Sequence, residues 1–242
     1  MTITSQHNAK LKEIRKLSQR RRSRDRAARF VAEGEDLLAA ADAAGWEPVE
    51  RYCAAGSGLP GVQVEPELLA GASGLGSGTR ALAVYEERWA VAPAGPLCVY
   101  LHGVGDPGNV GAVLRSAQAF GASSVALGPG TADPFGPKAV RASMGAVFAV
   151  PLARAESVAA LPGTTVALAA GRGRPLMEVS PSGATPRRQT VTLLIGAERD
   201  GLPEDVIAAA DHVAHIPIET ESLNAAMAAT IALYAITRMA PA

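Results

Sequence analysis

From residue 97 onward the chain repeats one arrangement: a short apolar run, a turn, and a stretch of helical spacing. Six such runs, LCVYLHGV, SVALG, AVFAVPL, TTVALAA, TVTLLIG and HVAHIPI, are continuously apolar rather than alternating. A strand that is apolar on both faces must be covered on both faces, as in a largely parallel sheet between layers of helix. NVGAVLRSAQAFG, PKAVRASMG, AESVAAL, PEDVIAAAD and SLNAAMAATIALYAITRM lie between and after the runs and read as those helices. An α/β domain with a mostly parallel sheet and helices on both faces is therefore expected over residues 97–242. Its ligand chemistry should lie in the loops beyond the carboxyl ends of the strands.

The preceding residues have a different pattern. A basic amphipathic helix around 8–22 leads to a strand FVAEG, a helix EDLLAAADAAG stopped by Gly45, strands at PVERYCA and VQVE, a helix PELLAGA and a strand ALAVYEE. GASGLGSGT, at 71–79, reads as a loop. Residues 1–90 form a small α/β unit on this reading, and Pro93, Gly95 and Pro96 mark a linker at 91–96.

Several classes are set aside by composition. No apolar run approaches the 18 or so residues of a membrane span, and MTITSQHNAKLKEIRK has no apolar signal core, so a cytoplasmic protein is expected. Cys53 and Cys98 alone make neither a disulfide framework nor a cysteine metal motif. His212 and His215 flank a strand and lack further ligands nearby, so no metal is expected. GSGLPG (56–61) fits a dinucleotide fingerprint by spacing, but Pro60 and the strand-like VQVE that follows do not open the helix a pyrophosphate needs.

Although the formal net charge is zero, residues 1–30 hold ten basic groups against Glu13 and Asp25. Such a cationic segment suits a polyanion, because each Lys or Arg that meets a phosphate releases counterions. A solvated basic helix would have the same composition.

Three strand-end loops concentrate the polar residues of the second domain. In HGVGDPGNVGAVLRSAQAFG, Asn109 can cap a helix whose apolar stripe is Val113, Leu114, Ala117 and Phe120, leaving Arg115 on the other face. A guanidinium there can grip a phosphate or carboxylate, or can simply be a surface arginine. In LLIGAERDGLPEDV, Gly196 lets backbone approach a ligand, Glu198 supplies a carboxylate, and Gly201 turns the chain before Pro203. In HIPIETESLNAAMA, Ser222 can cap the last helix, Leu223 anchors it, and Asn224 faces the loop. Taken singly, each loop reads equally well as an ordinary connection.

Together, DPGNVGAVLRSA, IGAERDGL and IPI…ESLNAA resemble, in order and content, the three motifs of the TrmH (SpoU) branch of the knotted SPOUT methyltransferases. RASMGAVF, at 141–148, is similar to the family's intervening segment, and RFVAEGEDLL, at 29–38, to the substrate-binding domain that precedes the catalytic one in many members. The resemblance implies a C-terminal trefoil knot, where periodicity alone gives an open doubly wound sheet. It implies transfer of a methyl group from S-adenosylmethionine to a ribose 2'-hydroxyl of structured RNA, with rRNA, the large-subunit 23S RNA in particular, ahead of tRNA. By motif, Ala170, Gly196, Ile216 and Leu223 contact the cofactor, while Arg115, Asn109, Glu198, Ser222 and Asn224 form the catalytic site. No metal is required, because the sulfonium already activates its methyl group.

The resemblance further implies a homodimer through the knotted region. The basic arm, with Lys10, Arg15, Arg20, Arg21, Arg22, Arg24 and Arg29, would then bind RNA phosphates. Only Glu219, Thr220 and Glu221 separate IPI from SLN, fewer residues than many relatives place there. Competing readings are an RNA-binding protein of the same fold without activity and, through GSGLPG, a nucleotide-dependent oxidoreductase.

Overall fold

The computed structural model describes residues 2–73, 78–179 and 190–239; part of the glycine-rich loop at 71–79 lies outside them. In chain order the elements are α1 (Ala9–Gln19), α2 (Arg21–Ala27), β1 (Arg29–Glu33), α3 (Glu35–Ala43), β2 (Glu50–Ala54), β3 (Val62–Val64), α4 (Pro66–Ala72) and β4 (Ala81–Glu86). Then follow β5 (Leu97–Leu101), α5 (Pro107–Ala119), β6 (Ser124–Leu127), α6 (Pro137–Ala142), α7 (Ala146–Ala149), β7 (Leu152–Arg154) and β8 (Thr164–Leu168). The last are β9 (Arg174–Pro175), β10 (Val191–Ile195), α8 (Glu204–Ala208), β11 (His212–His215) and α9 (Ala225–Met239). They group into two compact units, Met1–Glu87 with Asp133–Ala149, and Arg88–Ala132 with Val150–Ala242.

The first unit has a four-stranded sheet in the order β1-β4-β2-β3. Alternation along β1 and β4 sends Val31, Leu82 and Val84 to one face, where Leu11, Ile14 and Leu17 of α1 cover them. Phe30 and Tyr85 point to the other face, into an aromatic cluster completed by Trp46, Phe135 and Phe148. The Phe30 and Phe135 ring centroids are 4.7 Å apart, and the Trp46 indole N–H donates to the Phe148 carbonyl at 2.9 Å. Fully buried side chains of this size each contribute about 1.5–3 kcal/mol of transfer free energy. Asp133–Ala149 thus supplies part of this unit's core.

That packing explains a departure from the sequence reading. AVFAVPL has a strand's composition, yet Ala146–Ala149 is a helical turn and only Leu152–Arg154 is strand. Gly145, at φ 94°, turns the chain against Ala40, where a Cβ would come within 2.5 Å of the Ala40 Cβ; the next turn delivers Phe148 to the aromatic cluster. AESVAAL is likewise reduced to a 3-10 turn at Val158–Ala160. The basic helix breaks at Arg20, whose backbone is extended, and restarts as α2.

The second unit is a seven-stranded sheet, β7-β6-β5-β10-β8-β11-β9, parallel at every described pairing. Its strands β5, β6 and β10 are buried along their whole length, as continuous apolar runs require. β10 inserts between β5 and β8, although it follows both in the chain, and after β11 the chain returns to lay α9 along α5 and β10. That threading is a trefoil knot, an exception to the usual avoidance of knots. β11 is clamped to β8 by Asp211: its carboxylate accepts from the Thr165 N–H and hydroxyl, both at 2.8 Å, and its own N–H donates to the same hydroxyl at 2.9 Å. Among the described residues no helix is long and apolar enough to cross a membrane.

Candidate active site

A cavity of about 390 Å³ opens where β8, β10 and β11 end, which is where an α/β sheet places its ligand crevice. Ala170, Gly196, Ile216 and Leu223 all line it, with Glu198 and Ser222. Leu202, Ile207, Ile216, Ile218 and Leu223 make one part apolar, while Glu198, Asp200 and Glu221 bring carboxylates to the lining.

The loops are held by their own backbone. A Cβ on Gly196 would come within 2.2 Å of the Gly201 carbonyl carbon, so here the glycine admits its own returning loop. Ala197 and Gly201 then exchange two N–H···O bonds of 3.0 Å, and Gly201 takes φ 66° to close the turn. The loop after β8 is fixed twice. Gly173 lies so near β11 that a Cβ would meet the Val213 carbonyl oxygen at 1.9 Å, and Arg172 makes a forked pair with Glu204 at 2.8 and 3.0 Å. Hydrogen bonding and charge from Arg172 hold the Glu204 carboxyl below its ordinary value.

A chain of side-chain amides joins all three loops. The Asn109 amide N–H donates to Glu198 Oε1 at 2.6 Å, and the Asn224 amide N–H donates to Asn109 Oδ1 at 3.0 Å. Asn224 Oδ1 in turn accepts the N–H of Ala226 at 2.9 Å and of Met227 at 3.3 Å. Two capping assignments from the sequence are therefore corrected. Asn224, not Ser222, caps α9, which begins at Ala225. Asp106, not Asn109, caps α5: its Oδ1 accepts from Gly108 and Asn109 at 2.6 and 3.1 Å, and Pro107 takes the first helical position, where no N–H is needed. Freed from capping, Asn109 uses its side chain to couple Glu198 with Asn224.

Ser222 is exposed and its hydroxyl has no partner among the described residues. Arg115 is exposed on α5, with no ion pair or hydrogen bond among the described residues. α5 itself is set by Val110, Val113, Leu114 and Ala117 beneath it and by a 2.6 Å hydroxyl contact from Ser116 to Thr230 of α9. The sequence reading missed Asp106, although D-P-G is a helix-start signature. It also missed the Arg172–Glu204 pair, which no local pattern announces.

The basic arm is sorted by the fold. Arg24 is 6% exposed, forms a 2.7 Å pair with Asp133 and donates to the Leu17 carbonyl at 2.7 Å, so it is structural and is withdrawn as an RNA contact. Lys10 is paired with Glu50, Arg21 with Asp25 at 3.8 Å, and Arg29 with Glu13 at 3.5 Å. Arg15 donates to the carbonyls of Gln6 and Gly71, each at 3.2 Å. Arg20 and Arg22 are exposed and unpaired among the described residues. GSGLPG forms the β2–β3 turn, with Gly61 at φ 135° against the Arg51 carbonyl, and opens no helix.

Comparison with known proteins bears on the family and the fold. Residues 96–234 match the SpoU rRNA Methylase family, and residues 8–85 match the MRM3-like substrate binding domain. The AdoMet bound rRNA methyltransferase from Sinorhizobium meliloti superposes with a TM-score of 0.86 at 30% identity, covering 100% of this chain and 99% of that one. The SpoU methyltransferase AviRb from Streptomyces viridochromogenes, in complex with the cofactor AdoMet, gives 0.84 at 26% identity, covering 96% and 98%. The 23S rRNA (guanosine(2553)-2'-O)-methyltransferase RlmP of Bacillus subtilis (strain 168) is 34% identical over 137 residues, 54% of each chain. The chain spans about half the length, or less, of the first curated relatives it matches. Because the family match runs through every strand and loop that builds the cavity, and over more than half of the residues, the chain belongs to the SpoU rRNA methylase family.

Proposed function

We propose that the protein methylates a ribose 2'-hydroxyl of ribosomal RNA, the 23S RNA foremost, using S-adenosylmethionine. The observation that carries this reading is the amide chain Glu198–Asn109–Asn224, which ties the three motif loops together beside a cavity of ligand size. The cavity suits that cofactor: apolar side chains are available for a purine, strand-end backbone for hydrogen bonds, and carboxylates for a donor with cationic groups. Ala170, Gly196, Ile216 and Leu223 would hold it. When bound, it supplies an electrophilic methyl group on a sulfonium.

The chain's own residues then position and polarise. Arg115, unpaired among the described residues, is placed to grip a phosphate next to the target ribose and to hydrogen-bond the attacking hydroxyl. A guanidinium offers N–H donors and no acceptor, so the hydroxyl proton passes to water rather than to Arg115. Glu198 and Asn224, fixed through Asn109, shape the site against drift of the order that costs catalysis heavily. The exposed Ser222 hydroxyl is available to the substrate or to the cofactor.

The arm of the first unit would add phosphate contacts through Arg20 and Arg22, with Lys10, Arg15, Arg21 and Arg29 able to exchange their present partners. α9 leaves Met227, Ile231 and Tyr234 exposed by 61, 41 and 53%, a stripe that a second copy of the chain would cover. An rRNA target would put the protein in the cytoplasm. The test is methyl transfer to total rRNA from cells lacking the protein, followed by mapping of ribose methylation. One restored 2'-O-methyl mark supports the reading, and none would overturn it.

A further inference from the structure

A second exposed arginine of the second unit lies away from the three motif loops. Arg154 ends β7, and its guanidinium carbon lies 4.2 Å from the ring centroid of Trp89. Trp89 is itself held in place: the next residue, Ala90, donates its N–H to the Leu152 carbonyl at 2.7 Å and pairs in parallel with Ala153, so residues 89–90 run along the edge of β7. Indole is the best aromatic platform for a cation, and stacking fixes a guanidinium while leaving the N–H groups of its rim free. Arg154 is nonetheless exposed and has no ion pair among the described residues.

Position adds the second argument. Arg154 is in register with Leu127 of β6, and Leu127 with Leu101 of β5, the strand that leads to Asp106 and the start of α5. All three residues sit at the carboxyl ends of their strands, the edge of the sheet that carries the cavity, and two strand spacings put β7 on the order of 10 Å from β5. An RNA with its ribose at the site would lay a flanking stretch of backbone along this edge.

We propose that Arg154, stacked on Trp89, is an RNA-phosphate contact that orients the substrate strand on the methyltransferase unit; the assignment rests on the RNA-methyltransferase reading above. The test is binding of a fluorescein-labelled RNA hairpin to the full chain by anisotropy, between about 50 and 200 mM salt. Arg154→Ala should weaken binding about fivefold to tenfold at the lower salt and reduce the slope of log affinity against log salt by about one. Trp89→Leu, which keeps the charge and removes its platform, should weaken binding by about twofold to threefold with the slope unchanged. S-adenosylmethionine uptake by calorimetry should be the same in all three proteins. Wild-type affinity and slope in Arg154→Ala would overturn the assignment, as would a loss of affinity that follows a lowered Tm and weaker cofactor uptake. Hairpin binding that depends on Arg154, in a wild-type chain that takes up no S-adenosylmethionine, would sink the methyltransferase reading while supporting the contact.

Discussion

The three strand-end loops of the second unit and the basic arm of the first both drew attention by their polar residues, yet the fold treats the two regions in opposite ways. In the loops it brings together Asn109, Glu198 and Asn224, which are far apart in sequence, and joins them by hydrogen bonds of 2.6 and 3.0 Å. In the arm it separates neighbours: Arg22 is left in solvent, while Arg24, two residues on, is buried against Asp133. Residues at the carboxyl ends of parallel strands are placed by topology, so their convergence follows once the sheet is known. A run of charge fixes only a total, and each side chain's use depends on which side of a short helix faces the core.

The sharpest way to break this contrast is at Arg24. Arg24→Met would leave the Asp133 carboxylate, only 12% exposed, without its cation, and should cost about 3–5 kcal/mol in denaturant unfolding. Arg22→Met should leave the unfolding midpoint within about 0.5 kcal/mol. Equal effects would remove the distinction between structural and free arginines. Next in size is Asn109→Ala, which unties Glu198 from Asn224. Single-turnover methyl transfer should fall on the order of a hundredfold, with cofactor affinity changed much less. A fall in affinity alone would make the amide chain a cofactor support instead.

A smaller effect is expected at the unpaired arginines of the arm. Replacing Arg20 and Arg22 together by Ala should weaken RNA binding several-fold and reduce the salt slope by about two, with no change in Tm. The smallest concerns the Asp211 clamp on the knotted strand. Hydrogen bonds from the Thr165 backbone and hydroxyl hold the Asp211 carboxyl below its ordinary value. A depressed carboxyl contributes stability that is present above its unfolded value and is lost as pH falls through the folded one. Wild type should therefore exceed Asp211→Asn in Tm at neutral pH, and the gap should close below about pH 4. A gap that persists unchanged in acid would show that the clamp does not depend on the charge.

Much of this architecture was legible from local pattern. Continuous apolar runs announced the buried parallel strands, and motif order pointed to the loops that meet at the cavity. AVFAVPL misled because an apolar run of that length suits a buried helical turn as well as a strand, and only the distant partners Phe30 and Trp46 decide between them. The start of α5 was readable in principle, since Pro107 fits the first helical position and makes Asp106 the cap. S-L-N offered two capping residues, and the one adjacent to the apolar run took the role. Neither the Asn109–Glu198 bond, across 89 residues, nor the burial of Arg24 leaves a periodic trace. The knot is equally invisible to periodicity, because threading depends on the path of the whole chain.

The central claim, that the loops beyond β8, β10 and β11 hold a methyl donor against an RNA ribose beside Arg115, is tested most directly by one transfer experiment. S-adenosylmethionine labelled in its methyl group would be incubated with rRNA and either wild type or Arg115→Ala, and the label traced by nuclease digestion. The account predicts label on a single ribose 2'-oxygen with wild type, and its loss in a variant that still takes up the cofactor. Label on a base, or equal labelling by both proteins, would contradict it.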